Sequence, residues 1–110
     1  MNKLDKSSKI YVAGHLGMVG SACWRILIKA GYKNLIGISS NNLDLRNQRD
    51  VYNYIYSNKP DIIINAAAKV GGIIANDTYP YDFIMDNMTI QNNLIDSAHK
   101  LDVNNFIFIG

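Results

Sequence analysis

The 110 residues contain a single cysteine, Cys23, so no internal disulfide and no cysteine-rich metal site can form. A lone thiol fits a reducing compartment. Blocks of one charge are also missing: the formal net charge is +2, and the eleven lysines and arginines never run five or six together. Neither nucleic acid nor an anionic membrane surface would find an electrostatic footprint here. No stretch reaches the run of about 18 apolar residues that a membrane span needs. Met1 to Lys9 is polar where a secretory signal would carry an apolar core. The protein is therefore expected to be soluble and cytoplasmic, with no metal, no nucleic-acid partner and no membrane partner. Repeats, low-complexity tracts and linkers are absent too. The expected organisation is a polar leader, residues 1–8, and one domain or part of one over 9–110.

Hydrophobic residues make up 48% of the chain, enough for an ordered core. Their pattern alternates between two periods. Lys9 to Ala13 is a short β-rich run that ends at a glycine cluster, and Met18 to Ala30 follows with apolar residues at helical spacing. Gly31 stands where a helix C-terminal glycine is expected. Leu35 to Ile38 predicts a second strand and Gln48 to Ser57 a second helix, with Val51, Tyr54 and Ile55 on one face. After Pro60, the run Asp61 to Asn65 predicts a strand buried on both faces. A Gly71-Gly72 turn follows, then a long amphipathic helix from about Tyr81 to Leu101. Phe106 to Gly110 predicts a fourth buried strand. Strands alternating with helices imply right-handed crossovers and a parallel sheet. The expected fold is α/β, a Rossmann-type doubly wound parallel sheet truncated after its fourth strand. Its expected strand order is three, two, one, four, with the first strand beside the fourth at the switch point.

The chemistry sits in the loop after the first strand. Gly14-His15-Leu16-Gly17-Met18-Val19-Gly20 places glycines in a G-x-x-G-x-x-G pattern between a strand and a helix. Glycine permits a tight turn and close approach of backbone to a pyrophosphate, and a helix N-terminus adds free amides and partial positive charge. A purely structural turn in another α/β fold is the competing reading. After the second strand, an acidic residue would bond a ribose 2′-hydroxyl and a basic one a 2′-phosphate. Ile38-Ser39-Ser40 offers neither, so NAD and NADP are not separated here. Arg46 and Arg49 lie within conceivable reach but read more simply as solvated charges. Asp44 either faces the adenine or caps the second helix.

The glycine loop, the stretch Asn65-Ala66-Ala67-Ala68-Lys69-Val70-Gly71-Gly72-Ile73, and Asn76 to Pro80 together resemble the GDP-L-fucose synthase family of extended short-chain dehydrogenase/reductases. The resemblance covers nearly the whole chain from Lys9. It implies NADPH-dependent epimerisation and reduction of a GDP-4-keto-6-deoxymannose substrate, and a homodimer packed through the long helix. By position, Gly14 to Gly20 would hold the pyrophosphate of NADP. Ser40, Asn41, Asn42, Leu43, Asp44 and Leu45 would line the adenosine end, and Ile109 and Gly110 would begin the next cofactor segment. Two departures stand out. Family members carry arginine where this chain has Leu16, and basic residues near Ile38 and Ser40, so reduced discrimination between NADP and NAD is expected. The family's catalytic serine, cysteine, histidine and Tyr-x-x-x-Lys pair all follow the fourth strand, so no catalytic residue is assigned in this chain. The expectation is an N-terminal cofactor-binding part, inactive alone, with a noncatalytic nucleotide-binding module or an inactive remnant as the alternative.

Other residues have plainer readings. His15 suits loop packing better than phosphate contact, Lys69 suits a surface loop as well as a ligand, and His99 suits a solvated helix end. Cys23 and Trp24 belong to helix packing. Phe83, Asn87, Ile90, Leu94 and Ala98 recur at helical spacing as a core face, to which the resemblance adds a dimer contact.

Overall fold

The alternating periods resolve into β1 (Lys9–Ala13), α1 (Met18–Lys29), β2 (Asn34–Ile36), α2 (Gln48–Asn58), β3 (Ile62–Asn65), α3 (Pro80–Lys100) and β4 (Asn105–Phe108). This is the element order of a computed structural model that describes residues 4–67 and 80–109. All pairings are parallel: Ile10 is opposite Leu35 in β2 and Ile62 in β3, and Ile63 is opposite Phe106 in β4. The expected α/β class with a parallel sheet is borne out. The Gly71-Gly72 turn and Lys69 lie outside the described residues.

The strand order is β2-β1-β3-β4, which corrects the expected order of three, two, one, four. Two facts explain it. Ser39 to Asn47 contains no apolar run to build a strand outside β2, and it folds instead as turns: the Ser39 carbonyl accepts from the amides of Asn42 and Leu43, both at 3.0 Å. The third apolar run is buried along its whole length, Ile62, Ile63 and Ile64 being at most 7% exposed. A strand covered on both faces belongs at the centre, so α2 returns the chain across β1. β4 then takes the edge, where Ile107 and Phe108 are 49% and 51% exposed rather than buried as expected.

Side chains alternate between the faces of the sheet, and each face gathers its own core. Ile10, Val12, Ile62 and Ile64 point toward α1 and meet Cys23, Trp24 and Leu27. Tyr11, Ala13 and Ile63 point the other way, toward Val51 and Ile55 of α2 and Ile90, Leu94 and Ala98 of α3. The expected core face of α3 is thus confirmed at its last three positions; the Phe83 side chain lies outside the described residues. Helix ends follow local chemistry. Gly31, at φ 98°, closes α1: its amide bonds Ile28 O at 3.0 Å and that of Tyr32 bonds Leu27 O at 3.1 Å. At the start of α2 the cap is Asn47, whose side chain accepts from the Asp50 amide at 3.1 Å, and not Asp44.

Leu94 is fully buried where α3 meets the sheet, so Leu94→Ala should cost about 2–5 kcal/mol in urea unfolding. Burial also raises the pKa of Tyr11, with Tyr54 adding to the effect, its ring centroid 5.0 Å away. A raised value keeps the phenol neutral in the folded state, while the unfolded chain releases its proton near the ordinary value of 10.0. The contribution to stability is complete below that pH and declines above it. Melting temperature should therefore fall on the alkaline side of pH 10, and Tyr11→Phe should flatten that decline.

Candidate functional site

β1 and β3 lie side by side, yet the chain leaves β1 toward one face of the sheet and reaches β3 from the other. A crevice opens at their carboxyl ends. It is a cleft of about 500 Å³ bounded by Gly14, Gly17, Ala66 and Ala67 at the strand ends. Ile38, Ser40 and the segment Leu43 to Arg46 form one wall, and Ile90 of α3 completes it.

The floor depends on missing side chains. Gly14 has φ 81°, and a Cβ there would stand 2.6 Å from Ala67 Cα and 2.7 Å from the Ala66 carbonyl oxygen. A Cβ on Gly20 would overlap the Gly14 carbonyl itself. The first turn of α1 is thereby seated directly on the end of β1. Gly17 begins α1 with no side-chain cap and no acidic residue in the first turn, so the amides of that turn remain available to an anion. Gly37 plays a related part: a Cβ there would reach within 2.5 Å of the His15 ring. His15 occupies the space this leaves, its ring centroid 5.3 Å from that of Trp24, which is the packing role expected for it. Its Nδ1 is buried with no hydrogen-bond partner among the described residues.

Of the residues expected to hold a cofactor, the cleft brings together Gly14, Gly17, Ser40, Leu43, Asp44 and Leu45. Gly20 shapes the floor from beneath. The side chains of Leu16, Met18 and Val19 are exposed, at 70%, 89% and 41%, and Asn41 and Asn42 are exposed on the turn. None of these five lines the cleft among the described residues. Ile109 lies past β4, where its amide bonds Asn65 O at 3.1 Å, and Gly110 lies outside the described residues. Ile38, Arg46, Ala66, Ala67 and Ile90 join the lining without having been assigned to it. The two alanines carried a legible signal, small residues directly after a buried strand; Ile90 carried none, because only the tertiary fold brings α3 there.

Arg46 is the one cation on the described lining, and it is engaged. Its Nε and Nη2 donate to Asp44 Oδ1 and Oδ2, both at 3.0 Å, and Asp86 lies 3.8 Å from Nη1. These hydrogen bonds, donated to the Asp44 carboxylate, hold the guanidinium pKa above its ordinary value. Among the described residues no cluster of three or more histidines, cysteines or acidic residues could hold a metal. No helix there is long and apolar enough to cross a membrane.

Residues 10–110 match the model of the NAD dependent epimerase/dehydratase family. The chain is 51% identical over 106 residues to GDP-L-fucose synthase 1 of Arabidopsis thaliana, covering 96% of this chain and 33% of that protein. It is 46% identical over 102 residues to GDP-L-fucose synthase of Escherichia coli K12, covering 93% and 32%. Its fold matches a GDP-mannoheptose C4 reductase from Campylobacter jejuni with NADP bound, at TM-score 0.90 and 36% identity, over 98% of this chain and 34% of that one. The chain spans about a third of the length of the curated relatives it matches.

Because Gly20 leaves no room above the Gly14 carbonyl, Gly20→Ala should cost at least about 1–3 kcal/mol. Gly17→Ala, whose Cβ meets nothing nearer than 3.4 Å, should cost under about 1 kcal/mol. Thermal unfolding of the two variants checks the contrast.

Proposed function

The chain belongs to the NAD dependent epimerase/dehydratase family, and from that premise we propose that its cleft takes the pyrophosphate and adenosine of a nicotinamide dinucleotide. The crossing of Gly14 and Gly20 beside an uncapped helix N-terminus carries this reading: it is a cradle that side chains would fill and a phosphate suits. The amides of Met18, Val19 and Gly20 face the pyrophosphate in this assignment, and Ser40 to Leu45 flank the adenosine. Ile109 and Gly110 open the next cofactor segment. When bound, the reduced nicotinamide supplies the hydride for a keto-group reduction.

We assign the chain to the cofactor-binding part of a GDP-sugar epimerase-reductase that produces GDP-L-fucose. Its GDP-L-fucose synthase relatives, matched along most of this chain and over a third of their own length, support that substrate class. The family's catalytic serine, cysteine and Tyr-x-x-x-Lys pair fall in this proposal within the remaining length, and the chain alone turns over no substrate. Tyr81, Ile84, Met88 and Ile95 leave an exposed apolar stripe on α3, which supports pairing of two copies through the long helix.

NADP is the proposed cofactor, with discrimination against NAD reduced. Leu16, Ile38 and Ser40 carry no charge, and a 2′-phosphate would have to draw Arg46 away from Asp44. A charge-assisted contact to a phosphate contributes about 1.5–3 kcal/mol, roughly tenfold or more in affinity. Calorimetric titration should give NADH and NADPH dissociation constants within about threefold of each other, and exposed Leu16→Arg should favour NADPH by about tenfold. A strong NADPH preference in the unaltered chain would overturn the discrimination claim. No binding of either dinucleotide would overturn the cofactor reading itself.

A further inference from the structure

The wall of the cleft that meets the adenosine is, among the described residues, the longest stretch between two elements without helix or strand. From Ser39 to Asn47 it is held internally by turns and by short side-chain bonds, Asn42 Nδ2 to Ser39 Oγ and Arg46 to Asp44. Leu43, 6% exposed, and Leu45 face the core, while Asp44 and Arg46 face outward. These alternating anchors decide which side chains turn inward, but they leave the fine placing of the backbone loose, because the hydrophobic effect is non-directional. A directional contact must set where the backbone of residues 44–46 sits.

Polar contacts among the described residues tie this segment and the start of α2 to α3. Arg46 reaches Asp86 at 3.8 Å, Gln48 Nε2 donates to Asp96 Oδ2 at 3.1 Å, and Asn93 Nδ2 donates to the Leu45 carbonyl at 2.9 Å. Positions 86, 93 and 96 share one face of the helix, at offsets of seven and ten residues. They differ greatly in environment. The guanidinium of Arg46 is half exposed, at 50%, and the Gln48 contact is exposed, so water and salt weaken both. Asn93 is only 8% exposed. Its amide is largely shielded from water, so loss of this part-buried hydrogen bond would take from the Leu45 carbonyl its most protected contact to α3.

We propose that Asn93 is a positioning residue for cofactor binding: its side-chain amide, held on α3, fixes the Leu45 carbonyl and so orients the wall that receives the adenosine. This rests on the cofactor reading above. Asn93 does not line the cleft and acts entirely through the segment it holds. The affinity of the site for a dinucleotide is therefore set partly from a helix whose opposite face is exposed.

The test compares Asn93→Leu and Asn93→Ser with Ile55→Val, a core truncation in α2 away from the cleft. Serine is the milder change, since α3 already buries Ser97, and it is too short to reach the carbonyl. NADH dissociation constants are measured by calorimetry, and stability by thermal unfolding of the same samples. Both Asn93 variants should weaken NADH binding about five- to tenfold and speed amide exchange at residues 43–47 relative to β1 and β3. Ile55→Val should lower the melting temperature yet bind within twofold of the unaltered chain. If Asn93→Leu does not fold, Asn93→Ser decides alone. Binding within twofold in the Asn93 variants, or a loss that Ile55→Val reproduces at equal melting temperature, overturns the assignment while leaving the cofactor reading intact. Absence of NADH binding in the unaltered chain overturns both.

Discussion

Everything at this site depends on one steric constraint, the passage of the first turn of α1 over the Gly14 carbonyl. No side chain fits at Gly20, and none fits between Gly14 and the backbone of Ala66 and Ala67. Three backbone segments therefore meet at van der Waals range, with the ends of β1 and β3 joined by the bond from the Ala66 amide to Ala13 O at 2.9 Å. From that meeting point the rest follows. α1 is laid against one face of the sheet with its uncapped amides at the crevice, and the wall after β2 is brought opposite them.

The two cores explain why the crevice stays open. Because β1 and β3 are buried on both faces, neither can shift without exposing Ile10 and Val12 on one side or Tyr11 and Ile63 on the other. A register slip by one residue would exchange the faces entirely. The strand ends are fixed from both sides, so the glycines at their tips hold an open geometry without side chains of their own to support it.

Much of this was legible in the residues. The alternation of a β-rich run, a glycine loop and an amphipathic helix gave the elements to within a few positions, since each depends on local periodicity and turn chemistry. The strand order was misread because position in the chain was taken for position in the sheet; the three consecutive isoleucines at 62–64 already indicated a central strand. The cleft was legible where it is local, at Gly14, Gly17, Ser40 and Leu43 to Leu45. It was not legible where it is tertiary. Nothing near Ile90 or Asn93 marks them as neighbours of residues more than forty positions away. Asp44 and Asn47 are both good capping residues, and only the path of the loop chose between them.

The parallel pairing at the centre of the sheet also has a kinetic side. Ile10 has its partners at Leu35 and Ile62, so the strand made first in the chain is completed only after two crossovers have closed. Contacts so distant in sequence form slowly, since chain entropy is lost before the pairing is gained. During synthesis at about 5–20 residues per second, β1 would wait roughly 3–10 s for β3 to be made. For that interval β1 has only the short strand β2 to pair with, and its other edge is open. Molecular chaperones would meet this domain first at the very segment that later becomes its least accessible.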